Sequence, residues 1–199
     1  MNLHSLIALM LLVNYVAPTG TAAISAESVV RKLYGQITTR KPLGIPKGSD
    51  ETAIRPLLGK ELLQTLRAAQ SCQDDYFRQH IDKGSKPEFG WLETGIFSGP
   101  NERAIPSAAV VERTEPQEDG SFHVYVRLTY RESFDTYGRA PNPANTFSWQ
   151  VAAVAKSEGG HFVVTDVLFF EGESKKIESR LSDSFRGCEG SHWVGDKNS

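Results

Sequence analysis

A carboxylic acid and two aromatic residues with polar tips fall on the apolar registers of three predicted strands: Tyr130, Trp149 and Asp166. Every second residue of a strand faces the same side of a sheet, so we expect the three side chains to line one pocket. An apolar pocket raises the pKa of a carboxyl group, which prepares it for acid–base chemistry or ligand anchoring. The structural alternative places Asp166 at a bulge or strand end, bonded to an N–H or an Arg, beside ordinary core aromatics.

The segment 133–145 is a second candidate site. It is longer than the loop of about two to five residues that usually closes a hairpin, and it carries Asp135, Tyr137 and Arg139. Tyr and Arg are enriched where proteins bind one another, so the segment predicts a partner-binding loop. The alternative is a solvated loop without function.

Motifs of enzymes and metal sites are missing from the sequence. It contains no G-x-S-x-G, no phosphate-binding GxxxxGK[ST] and no GxGxxG. No H-x-H, HExxH or CxxC spacing suggests a metal site. We therefore expect no catalytic residue, no cofactor and no metal ion.

The charge and the length of the chain further limit which classes of protein it could belong to. The 199 residues include 22 Lys and Arg against 24 Asp and Glu, a net charge of −2. This balance lacks the basic surplus that drives binding to nucleic acid, so no nucleic-acid partner is expected. The length favours one domain, over residues 24–199.

The N-terminus has the features of an export signal. The first charged side chain is Glu27, and an apolar run at 6–13 precedes small residues that end at Ala23. The run is too short to span about 30 Å of hydrocarbon but fits a signal peptide. We expect residues 1–23 to be removed, leaving a periplasmic or secreted protein without a membrane segment. The alternative is a buried N-terminal helix.

The chain has two cysteines, Cys72 and Cys188. In the oxidising compartment that export implies, they are expected to form a disulfide. Two buried free thiols are the alternative.

The period of the apolar residues changes along the chain. Spacing of three and four predicts helices over 26–37 and 60–80 and a closing helix over 174–185; alternation predicts strands over 108–114, 122–131, 145–156 and 161–170, with a short first strand at 90–98. The predicted fold class is α+β, with N-terminal helices packed on a curved antiparallel sheet of about four to five strands and a short C-terminal helix.

Three segments add a family resemblance: Val30-Arg-Lys-Leu-Tyr34, Arg55-Pro-Leu-Leu-Gly-Lys-Glu-Leu62 and Phe162-Val-Val-Thr-Asp-Val167. With the leader and the order of elements, the chain resembles the nuclear-transport-factor-2-like, or cystatin-like, superfamily, and within it the exported bacterial domain of unknown function family 3828. His161 and Phe162 stand where such last strands often carry a Trp. The resemblance implies a cone-shaped domain with an internal pocket.

These observations predict an exported, soluble domain that binds a small ligand or an envelope protein without catalysis. One alternative is a pocket enzyme of the isomerase or dehydratase type that uses Asp166 with Tyr130 for proton transfer. Another is an immunity or envelope interaction protein that acts through 133–145. Fold analogy does not choose among them.

Overall fold

The computed structural model describes residues 20–80, 89, 91–92, 94–99, 105–131, 146–171 and 176–195. In these residues the helices precede the sheet, as the α+β prediction requires. The helices are α1 (Gly20–Arg40), α2 (Ser49–Ile54) and α3 (Lys60–Gln79), and a 3-10 turn at Arg55–Leu57 joins α2 to α3. None of the described helices has the length and apolar character that crossing a membrane demands.

Five strands form one antiparallel sheet in sequential order. They are β1 (Ala108–Pro116), β2 (Phe122–Arg131), β3 (Thr146–Glu158), β4 (His161–Phe170) and β5 (Ile177–Arg180). A separate hairpin of β6 (Cys188–Glu189) and β7 (His192–Trp193) follows. Gly159 and Gly160, with φ of 57° and 85°, make the two-residue turn between β3 and β4 that favours such positive angles. The predicted antiparallel sheet is confirmed.

Helix α1 lies against one face of the sheet, which we call the core face. Its buried residues recur every three or four positions: Ala26, Val29, Val30, Leu33, Tyr34 and Ile37. They pack with the inward residues of the strands, among them Val124, Val126 and Leu128, which are fully buried. The Tyr34 hydroxyl donates to the carbonyl oxygen of Phe97 at 3.0 Å, and burial raises the pKa of Tyr34. Side chains therefore fill the space between α1 and the sheet.

The start of α3 is attached to the sheet. Pro56 lies in the first turn of the 3-10 segment, where its missing N–H leaves no bond unmade. The backbone N–H of Gly59 donates to the carbonyl oxygen of Val164 at 2.8 Å, and that of Lys60 donates to the Glu158 carboxylate at 3.1 Å. A Cβ at Gly59 would lie 2.7 Å from the Glu158 carboxylate oxygen, so glycine permits this close approach.

Two sequence predictions are corrected. The closing helix over 174–185 is reduced to a single 3-10 turn at Leu181–Asp183, because residues 177–180 pair with β4 as strand β5. Ile177 is 40% exposed while Leu181 is fully buried, so their spacing does not mark one buried helix face. Pairing also covers the otherwise open edge of β4. In the predicted strand at 90–98, the described residues form turns and bends.

The first helix is longer than its predicted span. It begins at Gly20, so the expected cleavage point after Ala23 lies in its first turn. Residues 1–19, which hold the apolar run of the predicted leader, lie outside the described residues.

Candidate functional site

Asp166 faces away from the core face because of a bulge in β4. Val154 pairs with Asp166 and Ala155 pairs with Val164, so Thr165 has no partner on β3. A bulge adds one residue and reverses the alternation beyond it. Val164 and Val167 consequently both join the core, and Asp166 lies on the opposite side of the sheet.

The Asp166 carboxylate is bonded within its own chain. One oxygen accepts from the backbone N–H groups of Val167 and Ser182 at 2.8 and 3.1 Å. The other accepts from the Ser182 hydroxyl at 2.8 Å and lies 4.0 Å from the Arg180 guanidinium. Asp166 is 9% exposed. These bonds fasten the 3-10 turn at Leu181–Asp183 to the sheet, which matches the structural alternative rather than a pocket.

Tyr130 and Trp149 lie near each other on the core side of the sheet. Trp149 pairs with the buried Leu128, and its indole N–H donates to the carbonyl oxygen of Ser98 at 2.6 Å. The ring of Phe147 lies between the two, with centroids 5.3 Å from Tyr130 and 5.5 Å from Trp149. Trp149 and Val154, the partner of Asp166, are an odd number of residues apart on β3 and so face opposite sides. The structure does not bring Tyr130, Trp149 and Asp166 into one pocket.

The other predicted sites have different outcomes. Asp135, Tyr137 and Arg139 lie outside the described residues, so the partner-binding loop stays a prediction. Within the part of the chain that the structure describes, no three His, Cys, Asp or Glu side chains are grouped as a metal site would need.

The predicted disulfide is confirmed. Cys72 and Cys188 are bonded, with their Cα atoms 5.9 Å apart, and the bond joins α3 to β6. Asp75 makes a second attachment nearby, since its carboxylate accepts from the backbone N–H of Trp193 at 3.1 Å. The Gln79 amide donates to the same oxygen at 2.9 Å. The C-terminal hairpin is therefore held on α3 by a covalent bond and by a partly buried carboxylate.

A cleft of about 330 Å³ lies beside α2, the 3-10 turn and α3. Its volume is at the lower end of the range of small-molecule sites. Its floor is aliphatic and consists of Ile45, Pro46, Ile54, Leu58, Leu63 and Leu66. Ile54 and Leu58 are buried, whereas Leu63 is partly exposed. The apolar side chains of this region thus remain accessible to a small molecule.

Charged side chains form the rim of the cleft: Lys47, Glu51, Arg55 and Arg67. The three cations are exposed, and none of them has an ion-pair partner among the described residues. Glu51 and Arg55 are four residues apart, yet they form no ion pair in the described structure. Positive charge therefore exceeds negative charge around the opening.

Gln70 adds a polar atom at the wall of the cleft. Its amide nitrogen donates to the Asp74 carboxylate at 2.8 Å, which fixes the orientation of the amide. The amide oxygen is buried and has no hydrogen-bond partner within the described residues. A buried acceptor without a partner is uncommon in folded proteins.

Two other cavities differ in their linings. One, of about 420 Å³, lies against Trp91, Phe169 and Arg186. The other, of about 320 Å³, lies beside Pro42 and Gln73. Neither has a floor made mainly of aliphatic side chains beneath several unpaired cations. We therefore take the cleft beside α3 as the candidate site.

The sequence held one signal for this cleft. Leu62 and Leu63 are adjacent apolar residues, so the apolar stripe of α3 is wider than one packed face requires. Leu62 is buried in the core, and Leu63 lines the cleft. The charged rim comes from three separate segments, and their proximity is a property of the tertiary structure.

Comparison with known proteins adds no assignment: no family model, no curated protein and no solved structure matches the chain.

Proposed function

We propose that this protein binds a small, mainly aliphatic ligand in the cleft beside α3 and performs no chemistry on it. The observation that carries the proposal is the aliphatic floor of the cleft, open to a cavity of about 330 Å³. Burying apolar surface of a ligand against such a floor is favourable by about 25 cal/mol per Å². The region between α1 and the sheet offers no comparable space, because core side chains occupy it.

Two features favour binding over catalysis. Asp166, the candidate acid or base, has both carboxylate oxygens engaged by backbone N–H groups and by Ser182. It also lies on the face of the sheet opposite to Tyr130, its proposed partner in proton transfer. The cleft itself is lined by aliphatic and basic side chains, two neutral polar residues, Gln70 and Ser71, and one carboxylate, Glu51.

We further propose that the protein is exported and is related to the nuclear-transport-factor-2-like superfamily. The disulfide between Cys72 and Cys188 supports export, since such bonds persist mainly in oxidising compartments. The order of elements, with α1 across one face of a sequential antiparallel sheet, supports the relationship. An envelope protein as partner would act through 133–145, outside the described residues.

Titration with 1-decanol, followed by amide chemical shifts, tests the binding proposal. We expect shifts at residues that line the cleft, with little change in α1. Ser71 is exposed at the cleft, so Ser71→Trp places a bulky ring there and should weaken binding at least about tenfold. The control is Gln64→Trp, an equally large change at an exposed position of α3 outside the cleft lining.

Three outcomes contradict the proposal. The first is that decanol leaves every amide shift unchanged, and the second is that it shifts only residues remote from the cleft. Equal weakening by Ser71→Trp and Gln64→Trp would show that the effect does not come from the cleft.

A further inference from the structure

We propose that the ligand of this cleft is an aliphatic compound with an anionic head group, held by its chain on the apolar floor and by its head group at the basic rim. The inference rests on the proposed binding function and adds the chemical class of the ligand. It depends on three observations: the aliphatic floor, the unpaired cations and the single carboxylate at the opening.

The cations lie where the head group of such a ligand would emerge. Lys47 comes from the loop before α2, Arg55 from the 3-10 turn and Arg67 from α3, so they approach the cleft from three different elements. None of the three forms an ion pair with a carboxylate of the described residues. Other arginines of the protein are paired, for example Arg127 with Glu112 and Arg31 with Glu27.

The chemistry of these side chains favours an anionic head group. An Arg guanidinium presents a planar fork of donors that matches the two oxygens of a carboxylate, and such charge-assisted bonds are stronger than neutral ones. A cationic head group would be repelled by the excess positive charge. A neutral ligand would fill the floor but leave the rim without a partner.

Glu51 does not reverse this preference. It is the single carboxylate of the lining, against the three cations Lys47, Arg55 and Arg67. Attraction and repulsion both grow with the charge of the ligand, so the balance is attractive for a carboxylate, with a charge of about −1, and for a phosphate monoester, with about −1.5 to −2.

Four compounds with the same ten-carbon tail test the inference: decanoate, 1-decanol, decyl phosphate and decyltrimethylammonium. Each is titrated below its micelle-forming concentration, with binding measured by calorimetry and amide shifts. We expect decanoate to bind at least about tenfold more tightly than 1-decanol, as one charge-assisted hydrogen bond predicts. Decyl phosphate should also bind more tightly than 1-decanol, and decyltrimethylammonium should bind least tightly; the two anions compared with each other distinguish a carboxylate from a phosphate head group.

Substitutions at the rim connect this preference to particular residues. Arg55→Ala and Arg67→Ala should each reduce decanoate affinity about three- to tenfold while leaving 1-decanol affinity unchanged. Both residues are exposed, so the fold should persist. Lys32→Ala is the control, because Lys32 is an exposed cation on α1 and removes the same charge away from the cleft. It should leave both affinities unchanged.

The possible failures are distinguishable. Equal binding of 1-decanol and both anions in the cleft would overturn the inference of an anionic ligand and leave the proposed function intact. An equal loss of decanoate affinity in Lys32→Ala and Arg67→Ala would also overturn the inference. Absence of cleft shifts with 1-decanol would overturn the proposed function itself.

Discussion

The two long helices of this protein are held in place by different means. Helix α1 has 21 residues, six of them buried, and lies along the sheet. Helix α3 has 20 residues, also with six buried, but its attachments include the bond from Cys72 to Cys188 and the bond from Asp75 to Trp193. Hydrophobic burial against a sheet holds α1, and covalent and polar attachments to a short hairpin supplement burial at α3.

The difference explains where the open space lies. A sheet offers a broad apolar face, so side chains of α1 find neighbours along most of its length. Helix α2, which borders the cleft together with α3, has only 6 residues. At a rise of about 1.5 Å per residue, α2 spans about 9 Å and α3 about 30 Å. The short helix is not long enough to cover α3, and the cleft lies between the two.

Removing the disulfide should break the attachment of α3 most severely. The bond closes a loop with a sequence separation of 116 residues, for which chain entropy predicts a loss of up to about 4–5 kcal/mol. In Cys72→Ala/Cys188→Ala, urea denaturation should show lower stability. Hydrogen exchange should show a greater loss of protection in α3 and β6–β7 than in α1. Equal losses in both helices would contradict the distinction between them.

Truncating one leucine in each region compares the filled core with the cleft. Leu33→Ala removes a fully buried side chain and should cost about 2–5 kcal/mol, measured by urea denaturation. Leu63 borders open space and is only partly buried, so Leu63→Ala should cost about 1 kcal/mol. Equal costs would mean that the cleft is closed in solution.

Asp166→Asn tests the bonds that attach the 3-10 turn at Leu181–Asp183 to the sheet. The substitution replaces one of the oxygens that accept from Ser182 by a donor, and we expect a loss of about 1–3 kcal/mol. Binding of 1-decanol should not change. Ser182→Ala is the control for the partner side and should be destabilising in the same direction. A stable Asp166→Asn protein with altered ligand binding would contradict the structural role.

Asp75 and Asp74 are adjacent carboxylates on α3 that differ in exposure, so substituting each one separately gives a controlled comparison. Asp75 accepts the N–H of Trp193 and has 14% of its side chain exposed, so Asp75→Asn should cost about 1 kcal/mol. Asp74 is exposed and bonds only to Gln70 among the described side chains, so Asp74→Asn should change stability by less than about 0.5 kcal/mol. Thermal unfolding measures both. A larger loss at Asp74 would show that charge, not attachment of the hairpin, is the cause.

The smallest expected effect concerns pH and the sheet face opposite α1. Burial and, secondarily, the charge of Arg180 lower the pKa of His123, although Glu115 and Asp119 oppose the shift. The unfolded chain, with an ordinary His pKa of about 6.5, therefore binds this proton more readily than the folded chain. Stability should fall as pH decreases through about 6.5, and His123→Gln should reduce that dependence. Identical urea midpoints from pH 5 to 7.5 in both proteins would contradict this assignment.

The strands illustrate how far local pattern carries a prediction. Strict alternation at Phe122–Arg131 predicts β2, and the same reasoning predicts β4 at His161–Phe170. Each pattern records which residues a half-buried strand can tolerate, so it is visible in one segment alone. The same reasoning gave a wrong prediction at 174–185: apolar residues four apart predicted a helix, but they belong to a strand followed by a turn.

The orientation of Asp166 could not be predicted from the sequence. A residue's face depends on every bulge before it, and the extra residue at Thr165 reversed the orientation of Asp166. The partner of its carboxylate, Ser182, lies 16 residues further along the chain. No local pattern encodes either fact.

The sequence by itself determined the periods of the main helices and strands and the α+β order, because each follows from local composition. It also predicted the pairing of its two cysteines, because no third cysteine competes for the bond in an oxidising compartment. Only the tertiary structure decided which carboxylate is bonded, which leucine borders open space and which cations meet at one rim. Those properties depend on distances between segments far apart in the chain, and such distances are set by packing of the whole domain.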